Sequence, residues 1–223
     1  MARNKYPQET IGKILDTAQQ LFLSKGYEYT SIQDIIDGLG GLTKGAIYHH
    51  FKSKEAILAA VVMRLFADAK ERMKRIVSDP NLTGREKLVL AVQDCLEDPT
   101  QDYLFEVAPN ILKNPWMLAA LLQDCFSTVV PDILQPIVEQ GIADGSICTQ
   151  HPKELAQVMS ILCNVWINPT VCHGSKEEVV LRMRLLNQLM EPFGLDVMDD
   201  RVIERVLNYQ RLHSEKNPHS NVS

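Results

Sequence analysis

The chain has 223 residues, of which 45% are hydrophobic and 23% charged, and its formal net charge is −5. This composition predicts one large globular domain or two small ones, and it excludes a chain that is polycationic as a whole. No apolar run approaches the roughly 18 residues of a membrane-spanning helix, and the N-terminus lacks the apolar segment of a secretory signal, so we expect a cytoplasmic protein with no membrane partner.

The charge is unevenly distributed along the chain. Residues 1–55 carry seven Lys or Arg against six Asp or Glu, whereas residues 56–223 carry 16 against 22. Within residues 42–55 there are three lysines and one glutamate. If the protein meets a polyanion, the first quarter of the chain is therefore the expected place.

The first 53 residues predict three compact helices, because apolar residues recur there at helical spacing. The stripe of the first helix ends at Gly26, and its members are Ile11, Ile14, Leu15, Ala18, Leu21 and Phe22. Ser31 is a good N-cap for a short second helix that contains Ile32, Ile35, Ile36 and Leu39. The chain then breaks at Gly38, Gly40 and Gly41, and Thr43 is expected to cap a third helix that buries Ala46 and Ile47.

The remaining residues predict an all-α body. Ser53 is expected to cap one long fourth helix that extends to about Ile76. Further helices are predicted at 83–97, 101–113, 115–143 (bent by Pro131 and Pro136), 153–167, 175–191 and 199–212. We thus predict a three-helix domain at residues 1–53, a helical body at 54–212, and a polar tail at 213–223.

The stretch "LTKGAIYHHFKSKE" at 42–55 suggests the purpose of the first domain. Two short helices joined by a glycine turn and preceded by a packing helix describe a helix-turn-helix, whose second helix enters the major groove of DNA. Thr43 offers a hydroxyl to phosphate, and Lys44 can reach a phosphate or a guanine edge. Gly45 and Ala46 are small enough for the backbone to approach the groove, and Tyr48 can meet a phosphate or a thymine methyl.

Lys54 adds an argument of its own. It lies in the first turn of a helix, where a positive charge is unfavourable for the helix dipole. The position is poor for stability but suits a contact with phosphate, so we expect Lys54 to bind the DNA backbone.

At these residues the sequence resembles the N-terminal module of the tetracycline-repressor (TetR) family of bacterial regulators, over about 50 residues. The resemblance rests on "SIQDIIDGLGGLTKGAIYHHFKSKEAIL" at 31–58, and the turn "GLGGL" is one residue longer than the common form of the family. The resemblance implies that Lys44, Gly45, Ala46, Tyr48 and His49 read the groove. It further implies that His50 and Lys54 hold phosphate, and that Ser31 and Gln33 form the contact end of the second helix.

The resemblance also implies a homodimer that binds double-stranded operator DNA and a small-molecule effector in the body. Helices 153–167 and 175–191 carry apolar stripes wide enough to form a four-helix interface between two chains, although ordinary core packing is the alternative. Aromatic and soft residues of the middle helices are candidates for an effector pocket or for core: Phe66, Tyr103, Phe105, Trp116, Met117, Cys125, Phe126 and Trp166.

Other classes of function find little support in the sequence. We find no nucleophile elbow, phosphate loop or metalloprotease motif, and we expect no enzyme activity, cofactor or metal site. Adjacent His49 and His50 do not share a helix face and so do not suggest a metal site. The five cysteines include no Cys-x-x-Cys pair, and Cys95, Cys125 and Cys163 are expected to pack as small hydrophobic residues. The alternative function is that of a helical ligand-binding protein without DNA-binding activity.

Overall fold

The computed structural model describes residues 7–41, 44–107, 111 and 114–216, and it confirms the all-α prediction because no strand occurs in these parts of the chain. The first helices are α1 (Pro7–Lys25), α2 (Ile32–Gly38), α3 (Lys44–His50), α4 (Lys54–Leu65), α5 (Ala67–Ser78), α6 (Gly84–Glu97) and α7 (Pro99–Val107). They are followed by α8 (Pro115–Asp124), α9 (Gln135–Asp144), α10 (Pro152–Ile161), α11 (Lys176–Met190) and α12 (Asp200–Lys216). Two π-helical segments lie among the later helices, π1 (Cys125–Leu134) and π2 (Leu162–Trp166).

The chain divides into two compact units, Met1–Ala67 and Asp68–Ser223. In the first unit α1 packs against α2 and α4. Its core consists of buried apolar side chains at the predicted helical spacing, namely Ile14, Leu15, Ala18, Phe22, Tyr27, Ile35, Ile47, Phe51, Ile57, Leu58 and Val61. The three predicted N-terminal helices are therefore present, and α4 completes their packing.

The predicted long fourth helix is wrong, because it is two helices in the structure. Phe66 caps α4 with φ −87° and ψ 5°, and α5 begins at the next residue. The sequence pattern placed Met73 and Ile76 in the core, but no residue of α5 is fully buried. The many charged residues of α5 account for this, since Lys and Arg keep their charged groups in water.

The second unit has one large hydrophobic core. Buried side chains of α6, α9, α10, α11 and α12 meet there, among them Leu88, Ile137, Met159, Met183 and Val206. Capping boxes start two of these helices. Thr83 pairs with Glu86 in the first turn of α6, and Ser175 pairs with Glu178 in the first turn of α11. Each box satisfies amide groups that the first turn of a helix leaves without a partner.

The helix predicted around Pro131 is continuous from Pro115 to Asp144, but its middle is the segment π1. Pro131 has no N–H and cannot continue the α-helical hydrogen bonds, and the Gln135 N–H donates to the Val130 carbonyl, five residues earlier. This helix also corrects the expectation about apolar runs. One 18-residue window has a mean hydropathy of 1.4, so by length and composition alone the helix could cross a membrane, which is weak evidence for a span.

Two predicted boundaries differ from the structure. The helix predicted at 101–113 begins at Pro99, and its predicted end lies outside the described residues. The last helix extends to Lys216, so residues 213–216 are helical and do not belong to a polar tail. Residues 217–223 lie outside the described part of the chain.

Candidate nucleic-acid interface

The N-terminus of α2 is fixed by the predicted cap. Ser31 Oγ accepts a hydrogen bond from the Asp34 N–H at 3.1 Å, and the Ser31 N–H donates to Asp34 Oδ2 at 2.6 Å. Lys25 Nζ lies 2.7 Å from Asp34 Oδ1. The hydrogen bonds from Lys25 and Ser31 hold the pKa of Asp34 far below its usual range, so this carboxylate stays charged. Ser31 remains exposed, and Gln33 donates to Asp37 Oδ1 at 2.7 Å.

The helix α3 presents most of the predicted groove-reading residues to its exposed side. Ile47 is completely buried and anchors the helix. Lys44, Gly45 and His49 are exposed, while Ala46, Tyr48 and His50 are half-buried. Lys44 Nζ lies 5.8 Å from the centroid of the Tyr48 ring. The rings of His49 and His50 meet edge to face, with their centroids 5.1 Å apart.

The turn between α2 and α3 needs its glycines. Gly40 has φ 59° and Gly41 has φ 145°. Residues that carry a side chain rarely adopt such backbone angles. A Cβ on either residue would meet nothing within 4 Å, so the requirement comes from the backbone. Thr43, the predicted cap of α3, lies outside the described residues.

Lys54 occupies a specific place at the start of α4. Its Nζ donates to the Tyr27 carbonyl at 2.8 Å and lies 4.2 Å from the centroid of the Tyr27 ring. Ser53 caps this helix as predicted and accepts from the Ala56 N–H at 3.2 Å. The ammonium group of Lys54 is thus held at the start of α4 by a residue 27 positions earlier.

Three residues at or beneath this surface were not predicted from the sequence. Tyr27 orients Lys54, but nothing in the local sequence relates the two. Lys52 Nζ donates to the Tyr48 carbonyl at the end of α3, at 2.9 Å. Lys52 lies among the clustered lysines of residues 42–55, and this clustering is the sequence feature that could have identified it. Tyr29, just before the Ser31 cap, is the most exposed large hydrophobic residue of the chain parts described.

The candidate pocket residues lie on different helices and differ in exposure. Phe66 ends α4 in the first unit. In the second unit Phe105 stacks on Tyr209 with centroids 4.3 Å apart, Tyr103 is half-buried, Trp116 and Phe126 are exposed, and Trp166 packs beside the core. A groove of about 320 Å³ lies instead between α6 and α12, and Glu97, Arg201 and Arg205 are among its lining residues.

The thiols and histidines form no metal site among the residues that the structure describes. Cys125 is buried as expected and Cys163 is half-buried, whereas Cys95 is exposed. Burial raises the pKa of Cys163 to about 12. A thiol of such high pKa is a poor nucleophile.

A stripe of leucines runs along the outer face of α11. Leu181, Leu185 and Leu189 are 63%, 43% and 47% exposed, and their spacing of four residues places them on one side of the helix. On α10, Val158 is also exposed. These helices are the two that the sequence assigned to a dimer interface.

Three-helix packing, an anchored α3 and an exposed row of basic and small residues define a helix-turn-helix DNA-binding module attached to an all-α body. A model of the bacterial regulatory proteins of the tetR family matches residues 14–61. The helix-turn-helix unit of this chain is therefore similar in sequence to that of the family, whose members are bacterial regulatory proteins.

Curated relatives agree with this assignment. The transcriptional repressor KstR2 of Rhodococcus jostii is 27% identical over 150 residues, which cover 65% of this chain and 71% of the relative. The transcriptional repressor Rv1474c of Mycobacterium tuberculosis is 31% identical over 107 residues, which cover 46% of this chain and 51% of the relative. In several other relatives the match covers less than half of their length.

Solved structures show that the fold extends over the body. A TetR-family regulator from Pectobacterium atrosepticum aligns with 86% of this chain and 97% of its own, with a TM-score of 0.60 and 24% identity. GusR of Salmonella enterica aligns with 96% of this chain and 98% of its own, with a TM-score of 0.55 and 21% identity.

Proposed function

We propose that the chain is a repressor that binds a near-palindromic operator as a homodimer and leaves it when a small-molecule effector binds. The observation that carries the proposal is the orientation of α3. Ile47 fixes the helix, while Lys44, Gly45 and His49 are exposed. A short helix with such a face can enter a major groove.

The proposed contacts divide into two kinds. Lys44, Gly45, Ala46, Tyr48 and His49 would meet base edges or the groove floor. Phosphates would be held by His50, Lys54 and Thr43. At the start of α2, the DNA backbone would be contacted by Ser31 and Gln33. Phosphate contacts would fix the register of the protein on DNA, and base contacts would select the sequence.

Dimerisation would give the tight and specific DNA binding that a single short helix cannot. Two reading helices about 34–36 Å apart would bind two half-sites one helical turn apart. The second half-site would then be bound at the high effective concentration that the dimer frame imposes. The exposed leucines of α11 and Val158 of α10 support an interface through these two helices.

The effector would act by preferring one form of the dimer. A ligand shifts operator affinity only by the difference in its own affinity for the two forms. We assign DNA reading to residues 1–53 and effector binding and dimerisation to residues 54–212, and we expect the protein to act in the cytoplasm. KstR2 and Rv1474c are repressors by name, which supports repression over activation.

Selection of random duplex DNA tests the proposal. The purified protein selects from a random library at ~150 mM salt, and the bound DNA is sequenced. We expect a two-fold symmetric motif whose half-sites are about one helical turn apart. A variant with Lys44→Ala and His49→Ala is the matched control, because both side chains are exposed and their loss leaves the fold intact.

The alternative function, a helical binding protein without DNA activity, predicts a different result. A folded, dimeric sample would then enrich no motif, and the control variant would behave like the parent. That outcome, repeated after extraction of bound small molecules by unfolding and refolding, would refute the repressor proposal.

A further inference from the structure

Asp98 lies where two helices of the body meet. It caps the C-terminus of α6 with φ −67° and ψ 122°, and its side chain is 6% exposed. Its Oδ1 accepts a hydrogen bond from the Thr100 N–H in the first turn of α7, at 2.7 Å. Its Oδ2 accepts a short hydrogen bond from Arg72 Nη2 on α5. One carboxylate thus joins the start of α7 to α5.

The helix α5 depends on such polar contacts. None of its residues is fully buried. Arg72 Nε also lies 2.7 Å from Asp94 Oδ1 on α6, and the buried Lys87 of α6 donates to the Val77 carbonyl at 2.6 Å. The cationic side chains of Arg72 and Lys87 therefore contribute much of the attachment of α5 to α6. Elements with few buried apolar contacts open at low cost in free energy.

The other side of α7 is attached to α12. Arg205 Nη2 lies 3.0 Å from Asp102 Oδ2, and the ring of Phe105 stacks on that of Tyr209 with an interplanar angle of 10°. A continuous series of contacts therefore runs from α12 through α7 and Asp98 to Arg72 on α5.

The electrostatics of Asp98 favour this arrangement. Burial opposes ionisation of the carboxyl, but the hydrogen bonds from Thr100 and Arg72 outweigh it and lower the pKa of Asp98. The group is therefore an anion at neutral pH. Loss of Arg72 would leave the charge of the buried Asp98 carboxylate without this partner, so the two helices share one electrostatic anchor.

We propose that Asp98 is a shared anchor of α5 and α7, so that displacement of α7 from α12 weakens the attachment of α5. Asp98 and Arg72 are positioning residues in this account. The link to DNA rests on the proposed function. Along the chain α5 follows Phe66 and α4, which begins at Lys54, so a change in α5 would alter operator affinity.

Hydrogen exchange of the full-length protein, without DNA or effector, tests the anchor. Phe105→Ala removes the ring that stacks on Tyr209, and Asp102→Asn is a milder variant that removes the ion pair to Arg205. We expect either variant to speed amide exchange in α7 and also in α5, by about fivefold or more, the lower range of measured couplings.

Arg72→Gln supplies the double-mutant comparison. It should speed exchange in α5 by itself, and adding Phe105→Ala to it should change α5 no further, because the coupled contact is already lost. Arg75→Gln, at an exposed arginine of the same helix, is the matched control and should leave α5 unchanged. Faster exchange in α11 would show that Phe105→Ala unfolds the whole body. In that case the milder variant Asp102→Asn is the one that tests the coupling between α7 and α5.

The anchor is refuted if Phe105→Ala and Asp102→Asn speed exchange in α7 alone, or if Arg72→Gln leaves α5 at the parental rate. Operator affinity is measured separately on the selected DNA. Coupled exchange with unchanged operator affinity in Arg72→Gln would support the anchor and refute its role in DNA release. Because exchange needs no DNA, failure of the anchor is distinguishable from failure of the repressor proposal.

Discussion

Lys54 has a structural role in its contacts with Tyr27, and the proposed phosphate contact would add a binding role to the same side chain. An ammonium group has three hydrogen-bond donors, and the Tyr27 carbonyl accepts from one of them. The ring of Tyr27 further restricts the position of Nζ. A phosphate oxygen would therefore meet a cation that is already ordered, and binding would cost less side-chain entropy.

Lys54→Ala should weaken binding to every DNA sequence and reduce the salt dependence of the logarithm of the binding constant by about one per half-site. Fluorescence anisotropy at several salt concentrations measures the slope. Lys70→Ala, at an exposed lysine of α5, is the control for a general loss of charge. Equal slopes for Lys54→Ala and the parent would refute the phosphate contact.

Lys44→Ala distinguishes base reading from backbone binding at α3. Lys44 is exposed and lies near Tyr48, so its loss should not disturb the fold. If Lys44 contacts a guanine edge, the motif selected by the variant should relax at one position of each half-site, at a cost of about 1–3 kcal/mol for that base. An unchanged motif with weaker affinity would instead place Lys44 on phosphate.

The thiols should differ strongly in reactivity. Cys148 is exposed, whereas burial raises the pKa of Cys163 to about 12. Since the thiolate is the nucleophile, iodoacetamide at pH 8 should modify Cys148 much faster than Cys163. Peptide mass spectrometry at successive times measures both rates. Faster labelling of Cys163 would indicate an activated thiol and would contradict its packing as an inert hydrophobic residue.

At the scale of single elements, local sequence signals predicted the starts of helices well. Ser31 and Ser53 both precede helices as predicted, because a serine side chain can accept from the exposed amides of a first turn. Breaks and irregular segments within the helices were harder to predict. The break at Phe66 and the segment π1 depend on packing and on backbone hydrogen bonds. The Lys54–Tyr27 contact joins residues that only the tertiary fold brings together.

The stabilisation that the capping box of α6 gives to the fold should depend on pH. Hydrogen bonds from the Thr83 N–H and hydroxyl lower the pKa of Glu86 below its usual value of 4.5. A lowered pKa means that the stabilisation is complete above pH 4.5 and is lost as the pH falls through the lower value of the folded state. Urea unfolding should therefore show that Glu86→Gln is less stable than the parent at pH 7.

The same comparison at low pH provides the control. The difference between parent and Glu86→Gln should shrink as the pH falls from 4.5, since the protonated parent then resembles the variant. Arg85→Gln, at the neighbouring exposed residue, should show no such pH dependence. A constant difference between parent and Glu86→Gln down to pH 3 would contradict a role for the carboxylate in the cap.

The whole molecule is expected to act as a pair of chains. Leu181→Glu together with Leu185→Glu should convert the dimer to a monomer, because the two charges would be buried in the interface. Sedimentation velocity measures the change, and operator affinity should fall with it. Leu90→Glu, at an exposed leucine of α6, is the control. A double variant that remains dimeric would exclude this stripe as the interface.

If the leucine stripe of α11 forms the proposed dimer interface, it also has a consequence for gene dosage. Where dimers are scarce, their number rises with the square of the number of chains, so halving expression would leave about a quarter of the molecules able to bind both half-sites. Operator occupancy would then respond more steeply than in proportion to synthesis. A gene for such a protein sets a threshold through its copy number and promoter strength, before any effector enters the cell.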